Sequence, residues 1–168
     1  MSKYSFKNTS VARSRIMRGI RSKDTRPEIL VRSAFHRAGL RFRLHSKVLP
    51  GRPDLVLASY GVIIFVHGCF WHQHARCGSK RIPQPNREYW ATKLQRNVQR
   101  DLANRRALRR RGWRVITIWE CEIDSRHLNA LISRILRYRA SLHREGTRKS
   151  GSREVSGSRR RLFHEASR

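Results

Sequence analysis

Acidic side chains are scarce in this chain: 11 Asp and Glu stand against 39 Lys and Arg in 168 residues, a formal charge of +28. That imbalance excludes a polycationic partner and points to a polyanion, because a body this positive repels itself unless it meets phosphate. The excess is not a tail effect, since residues 137–168 carry only 10 basic and 3 acidic groups. Long apolar runs are also missing. The longest, Val62 to Val66, falls far short of the roughly 20 residues that a membrane span needs, and Met1 to Lys7 holds no apolar signal-peptide core. A soluble intracellular protein without a membrane partner is expected. Cysteine is rare and odd in number. Three residues rule out a purely intramolecular disulfide framework, and in a reducing compartment they point to metal or to packing.

The length suits one core that buries about 70% of the unfolded chain's surface. From Thr9 to Ser22, Val11, Ile16, Met17 and Ile20 are scattered among basic residues, which gives residues 1–22 as an arm rather than core. Thr25-Arg26-Pro27-Glu28 opens a helix with a capping-box pattern; Ile29, Leu30, Ala34, Phe35 and Ala38 follow at helical spacing and Gly39 stops it. Arg41–His45, Asp54–Ala58 and Val62–Val66 read as strands, the last two joined by a turn at Tyr60-Gly61. Asn86 is placed to cap a long helix to Arg111, with Trp90, Leu94, Val98, Leu102 and Leu108 periodic along it. Trp113–Trp119 reads as a buried strand, and Ser125–His143 as a final helix with Leu128, Leu131, Ile132, Ile135 and Leu136 on one side. This order predicts an α/β domain with a mixed central sheet over residues 23–143. Residues 144–168, rich in Ser, Gly and Arg, read as a basic disordered tail.

Cys69, His74, Cys77 and Cys121 use every cysteine of the chain. Three lie within nine residues and the fourth just follows the Trp113–Trp119 strand, and thiolate with imidazole is the ligand set of a closed, structural Zn²⁺ site. The physical need is a cross-link, because Gly68 to Pro85 has too few apolar residues to pack. His72 competes with His74 for the imidazole position. About one zinc per chain is expected.

Pro53-Asp54 opens one strand and the adjacent strand ends in Val66-His67. This is close to the pattern by which restriction-type nucleases set a metal carboxylate beside a second strand. The acid and lysine usual on that second strand are absent: the positions read Phe65, Val66 and His67. Gly51-Arg52-Pro53-Asp54, Phe65-Val66-His67-Gly68-Cys69-Phe70-Trp71-His72 and Trp119-Glu120-Cys121, in this order, resemble the very short patch repair (Vsr) endonuclease family, over about Arg13 to Glu122.

The resemblance implies a restriction-endonuclease-like fold with structural zinc and a Mg²⁺-dependent endodeoxyribonuclease. Its partner would be double-stranded DNA, nicked next to the thymine of T:G mispairs left by deamination of 5-methylcytosine. Asp54 and the backbone carbonyl of Val66 would hold Mg²⁺; His72 would act as general base, being the side chain titrating nearest neutrality, and His67 would contact or protonate around the phosphate. Glu28 matches an active-site acid of the family but also stands where a capping-box partner belongs, three residues after Thr25. Phe70, Trp71 and Trp90 would form a wedge entering the base stack, with Lys93 and Asn97 on the same helix face able to reach base edges. Met17 and Ile20 would belong to an arm entering the opposite groove. A monomer is expected, with a mismatch-repair protein as a further partner. Two competing functions remain open: a general or restriction-type nuclease of the same fold, and a mismatch-binding protein that has lost catalysis.

Overall fold

The computed structural model describes residues 23–78 and 81–148; the arm with Met17 and Ile20, and residues 149–168, lie outside the described residues. The elements in order are α1 (Arg26–Arg37), β1 (Arg43–Leu44), β2 (Leu55–Leu57), a 3-10 turn (Ala58–Tyr60), β3 (Val62–His67), α2 (Arg87–Arg110), β4 (Arg114–Trp119), a second 3-10 turn (Glu120–Glu122) and α3 (Ser125–Arg148). They form a mixed four-stranded sheet in the order β1-β2-β3-β4. Strands β1, β2 and β3 pair antiparallel, while β3 and β4 pair parallel from Val62 opposite Arg114 to His67 opposite Trp119. The parallel pair requires a crossover, which α2 supplies. The α/β class and mixed sheet are as the sequence predicts; β1 is shorter, and α3 runs past the expected end at His143 to Arg148.

Why β3 is apolar at every position but its last follows from burial on both faces. Its alternate residues Val62 and Ile64 join Leu55, Leu57 and Ile118 against α1 and α3, where Val31, Phe35, Leu131 and Ile135 meet them. The other set, Ile63 and Phe65, packs with Val56, Leu49, Leu108 and Trp113 toward α2. Emptying such a core position, as in Phe35→Ala, costs about 3–5 kcal/mol. His67 continues the second set, so the pleat aims it at α2.

Helix α1 begins as the sequence predicts. Thr25 is its N-cap, Pro27 sits in the first turn, and Gly39 follows its C-cap at a φ of +77°. Its buried face differs from expectation: Ile29 and Leu30 are about half exposed, and Glu28, Val31 and Phe35 point inward. The capping residue thereby sets the phase. On α2, Leu94 and Leu108 are buried but Leu102 is exposed, because the intervening turns present Asp101 to the functional site instead. Asn86 occupies the N-cap of α2 without the expected side-chain bond; it is left-handed, at φ 59°, and caps only through its carbonyl, which accepts from Trp90 N.

Candidate active site and cysteine cluster

A cleft of about 980 Å³ opens where the start of β2, the end of β3 and the cleft face of α2 meet. The turn Leu49-Pro50-Gly51-Arg52 delivers the chain into it, closed by Arg52 N donating to Leu49 O at 3.1 Å. Gly51 has φ +78°, and a Cβ there would lie 2.7 Å from Asn104 Nδ2, so only glycine lets this turn press against α2. Pro53 then leads to Asp54, whose Oδ2 accepts from Val66 N at 2.7 Å. Burial pushes the Asp54 carboxyl up to about 6, helped by the nearby Glu28 charge and opposed by the Val66 hydrogen bond, His45 and Arg32. A carboxylate costly to ionise in this way is the group a hard cation would stabilise.

Across the cleft, the His67 and His72 rings stack at 3.7 Å and 11°. His72 is brought back over the strand end by a tight turn in which its N–H donates to Gly68 O at 3.2 Å. Its Nδ1 lies 2.5 Å from Asp101 Oδ2 on α2. An Nδ1–H given to that carboxylate leaves Nε2 as an acceptor, the state a general base needs. Burial would raise Asp101, yet the hydrogen bond and charge of His72 outweigh it and hold the carboxyl below its ordinary range. His67 is driven down to about 3 by burial and by His72 beside it. That keeps the ring neutral, which favours contact over the proton donation also expected of it. Asp101 was not among the residues singled out from the sequence; the signal that could have found it is its place on the helix face of Trp90, Lys93 and Asn97.

Glu28 is buried and fully engaged. Its N–H meets Thr25 Oγ1 at 3.5 Å, the Thr25 hydroxyl donates to Oε1 at 2.9 Å, and Oε2 accepts from Asp24 N at 3.1 Å and Arg32 Nη2 at 2.6 Å. Arg32 also pairs with Asp24 and lies 2.9 Å from His45 Nε2. The carboxylate therefore caps α1 while forming part of the cleft wall.

Behind His67, the donor atoms of Cys69, His74, Cys77 and Cys121 all lie within 4.8 Å of one another. His74 Nδ1 is 3.7 Å from Cys69 Sγ and 3.3 Å from Cys121 Sγ, and its ring stacks on Trp119 at 4.2 Å. Of the two competing imidazoles, His74 thus faces the cysteines and His72 faces Asp101. Burial pushes the Cys69 thiol up to about 12, so its thiolate needs a cation to form.

The aromatic trio assembles at the cleft mouth. Phe70 lies 5.1 Å from Trp71 and 5.8 Å from Trp90, with the two tryptophans 6.0 Å apart, all three partly exposed. Lys93 Nζ sits 5.3 Å from the Trp90 ring and 5.5 Å from that of Trp71. Asn97 Nδ2 donates to Trp71 O at 3.1 Å, a tether rather than a free base-reading amide.

The family described as DNA mismatch endonuclease Vsr matches residues 6–78 of the chain. A type II nicking enzyme of Xanthomonas oryzae pv. oryzae is 47% identical over 120 residues, which cover 71% of this chain and 86% of that one. A type II nicking enzyme of Neisseria meningitidis serogroup A is 39% identical over 132 residues, 76% of this chain and 94% of that one. The DNA mismatch endonuclease Vsr of Escherichia coli K12 is 42% identical over 114 residues, 68% of this chain and 72% of that one.

Proposed function

The chain belongs to the DNA mismatch endonuclease Vsr family, and from that premise we propose that it nicks one strand of duplex DNA next to the thymine of a T:G mispair, initiating very short patch repair. The observation that carries this reading is the convergence of Asp54, His67 and the His72–Asp101 pair on one cleft with an aromatic trio at its mouth. A base and a carboxylate in one cleft suit phosphodiester hydrolysis, and exposed rings beside them suit a distorted base stack.

The donor chemistry fits Mg²⁺, with Asp54 and the Val66 carbonyl as its protein ligands, in a restriction-endonuclease-like arrangement. Bound there, Mg²⁺ supplies charge stabilisation for the phosphate and the leaving oxygen. His72 accepts a proton at Nε2 from the water that attacks phosphorus, and Asp101 holds the ring and balances the imidazolium that forms. Neutral His67 packs beneath His72, excludes water from its face and offers the phosphate a hydrogen bond. Three thiols and one imidazole fit structural Zn²⁺, which, held by Cys69, His74, Cys77 and Cys121, would cross-link the loop carrying His72 to the end of β4. Phe70, Trp71 and Trp90 enter the stack, where unstacking costs a few kcal/mol and least at a mispair, so the wedge itself discriminates. Lys93 and Asn97 then exchange their present partners for base edges.

No helix among the described residues is long and apolar enough to cross a membrane, and the chain works as a cytoplasmic monomer on chromosomal DNA. The test is nicking of a strand-labelled duplex carrying one T:G pair, beside its T:A counterpart, with Mg²⁺ and with chelator. A Mg²⁺-dependent nick beside the thymine of T:G alone is the expected result. Equal cutting of T:A would make this a general nuclease, and binding without cutting a recognition protein.

A further inference from the structure

The cleft face of α2 does not end at the catalytic groups. Lys93, Asn97, Arg100, Asn104, Ala107 and Arg111 follow at three- and four-residue steps, so they form one ridge along the helix and its C-cap. The first four line the cleft, and exposed Arg96 and Arg110 stand beside the ridge. From Lys93 to Arg111 it measures about 27 Å at 1.5 Å per residue, the length of about eight base pairs.

Charge along this ridge is of one sign. Lys93 and Arg100 on the ridge, Arg111 at its C-cap end and Arg96 and Arg110 beside it are all cationic, and the one acid of this face, Asp101, is taken by His72. Of the ion pairs found among the described residues only His72–Asp101 involves α2, inside the cleft, and none neutralises Arg96, Arg110 or Arg111. The helix macrodipole favours a cation or two in the last turn, which accounts for part of the cluster at the C-terminus but not for Arg96 or for continuity with the cleft.

We infer that this ridge beyond Asn97, from Arg100 onward, is a phosphate rail for the duplex flanking the mispair on one side, with Arg110 and Arg111 as its far end. The inference rests on the reading that duplex DNA occupies the cleft. Polyanion complementarity and continuity with the cleft select the same duplex as occupant. The contacts are sequence-independent, so they lengthen the footprint without adding base specificity.

The test is binding under chelator, by fluorescence anisotropy across a salt series, of a T:G duplex extending about ten base pairs on each side, and of versions cut back to about three on either side. The unaltered protein should lose affinity when one flank is removed and not the other. On the long duplex, R110Q/R111Q should reduce the log–log salt slope by about 2, at about 0.9 per phosphate contact, and become indifferent to which flank is present. R110K/R111K should retain the slope. Should the Gln variant fail to fold, flank removal on the unaltered protein still decides. Symmetric flank dependence, an unchanged slope on the long duplex, or a second duplex bound per protein that the variant loses would each overturn the rail. Because the rail ignores the mispair, the same slope difference is expected on T:A duplex, so its failure is distinct from failure of T:G preference.

Discussion

The cleft proposed for catalysis and the cysteine cluster are built in opposite ways from one shared segment. Along it His67, Cys69, His72 and His74 are dealt alternately, two to the cleft and two to the cluster. The cleft draws its other members, Asp54 at the entry to β2 and Asp101 on α2, from chain held by the buried Leu55, Ile63, Leu94 and Leu108. The cluster draws its remaining members from turns with no comparable apolar cover: Cys77 is partly exposed and Cys121 exposed. A core positions groups to within the tolerance that catalysis needs, whereas a polar loop needs a cross-link to do so. The arrangement leads to an expected dependence with a direction: His72 should lean on the cluster, and the cluster should not lean on the cleft.

Asp54→Ala should break the cleft alone. Nicking should fall by about three orders of magnitude or more, the value of several kcal/mol of lost charge stabilisation, while metal content and T:G binding stay. Single-turnover nicking with parallel zinc analysis checks it; loss of zinc as well would make the two regions one unit. His72→Ala should lower single-turnover nicking by about 10²–10⁴-fold, the usual worth of a general base, again with zinc retained. Cys121→Ser tests the dependence from the other side. It should reduce zinc content, raise protease sensitivity between Gly68 and Pro85, and cost about 10–100-fold in nicking through a loosened His72. Unchanged nicking on zinc loss would show that the cleft stands alone.

The smaller effects concern the two carboxylates whose partners are fixed. Asp101→Asn should destabilise the fold by on the order of 1 kcal/mol near neutrality, modest because the pair is partly exposed. The Asp101 carboxyl is held below its ordinary value, so its contribution is complete above about pH 4 and lost as pH falls through the folded value. Thermal melts of both proteins should therefore converge in acid; a gap that widens there would reverse the assignment. Glu28→Gln should cost on the order of 1 kcal/mol through the Thr25 cap and Arg32. Lost cutting at unchanged melting temperature would return Glu28 to the catalytic set.

Much of the site was legible because its residue types are rare in this composition. Three cysteines beside histidines, and Pro-Asp ahead of a strand ending in histidine, stand out against a background of arginine and serine. The capping box was legible because Thr25 and Glu28 bond within one turn. The role of Asp101 was not, since its partner lies 29 positions away and only the packing of α2 on β3 brings them together. Nor was the Arg32–Glu28–His45 contact, which joins α1 to the end of β1. The exposure of Ile29, Leu30 and Leu102 was missed because periodicity counts apolar residues but does not say which face the sheet takes.

By itself the sequence determined what travels along the chain: the charge that calls for phosphate, the elements and their caps, and the four metal-type donors. Those follow from composition and from bonds between near neighbours. The tertiary structure alone decided which imidazole goes where, since His72 and His74 are equivalent in spacing until Asp101 claims one and the cysteines the other. It also decided that Asp54 is buried enough to titrate near 6 and His67 near 3. Desolvation and pairing depend on what surrounds a group in space, and those surroundings are assembled from segments far apart in the chain.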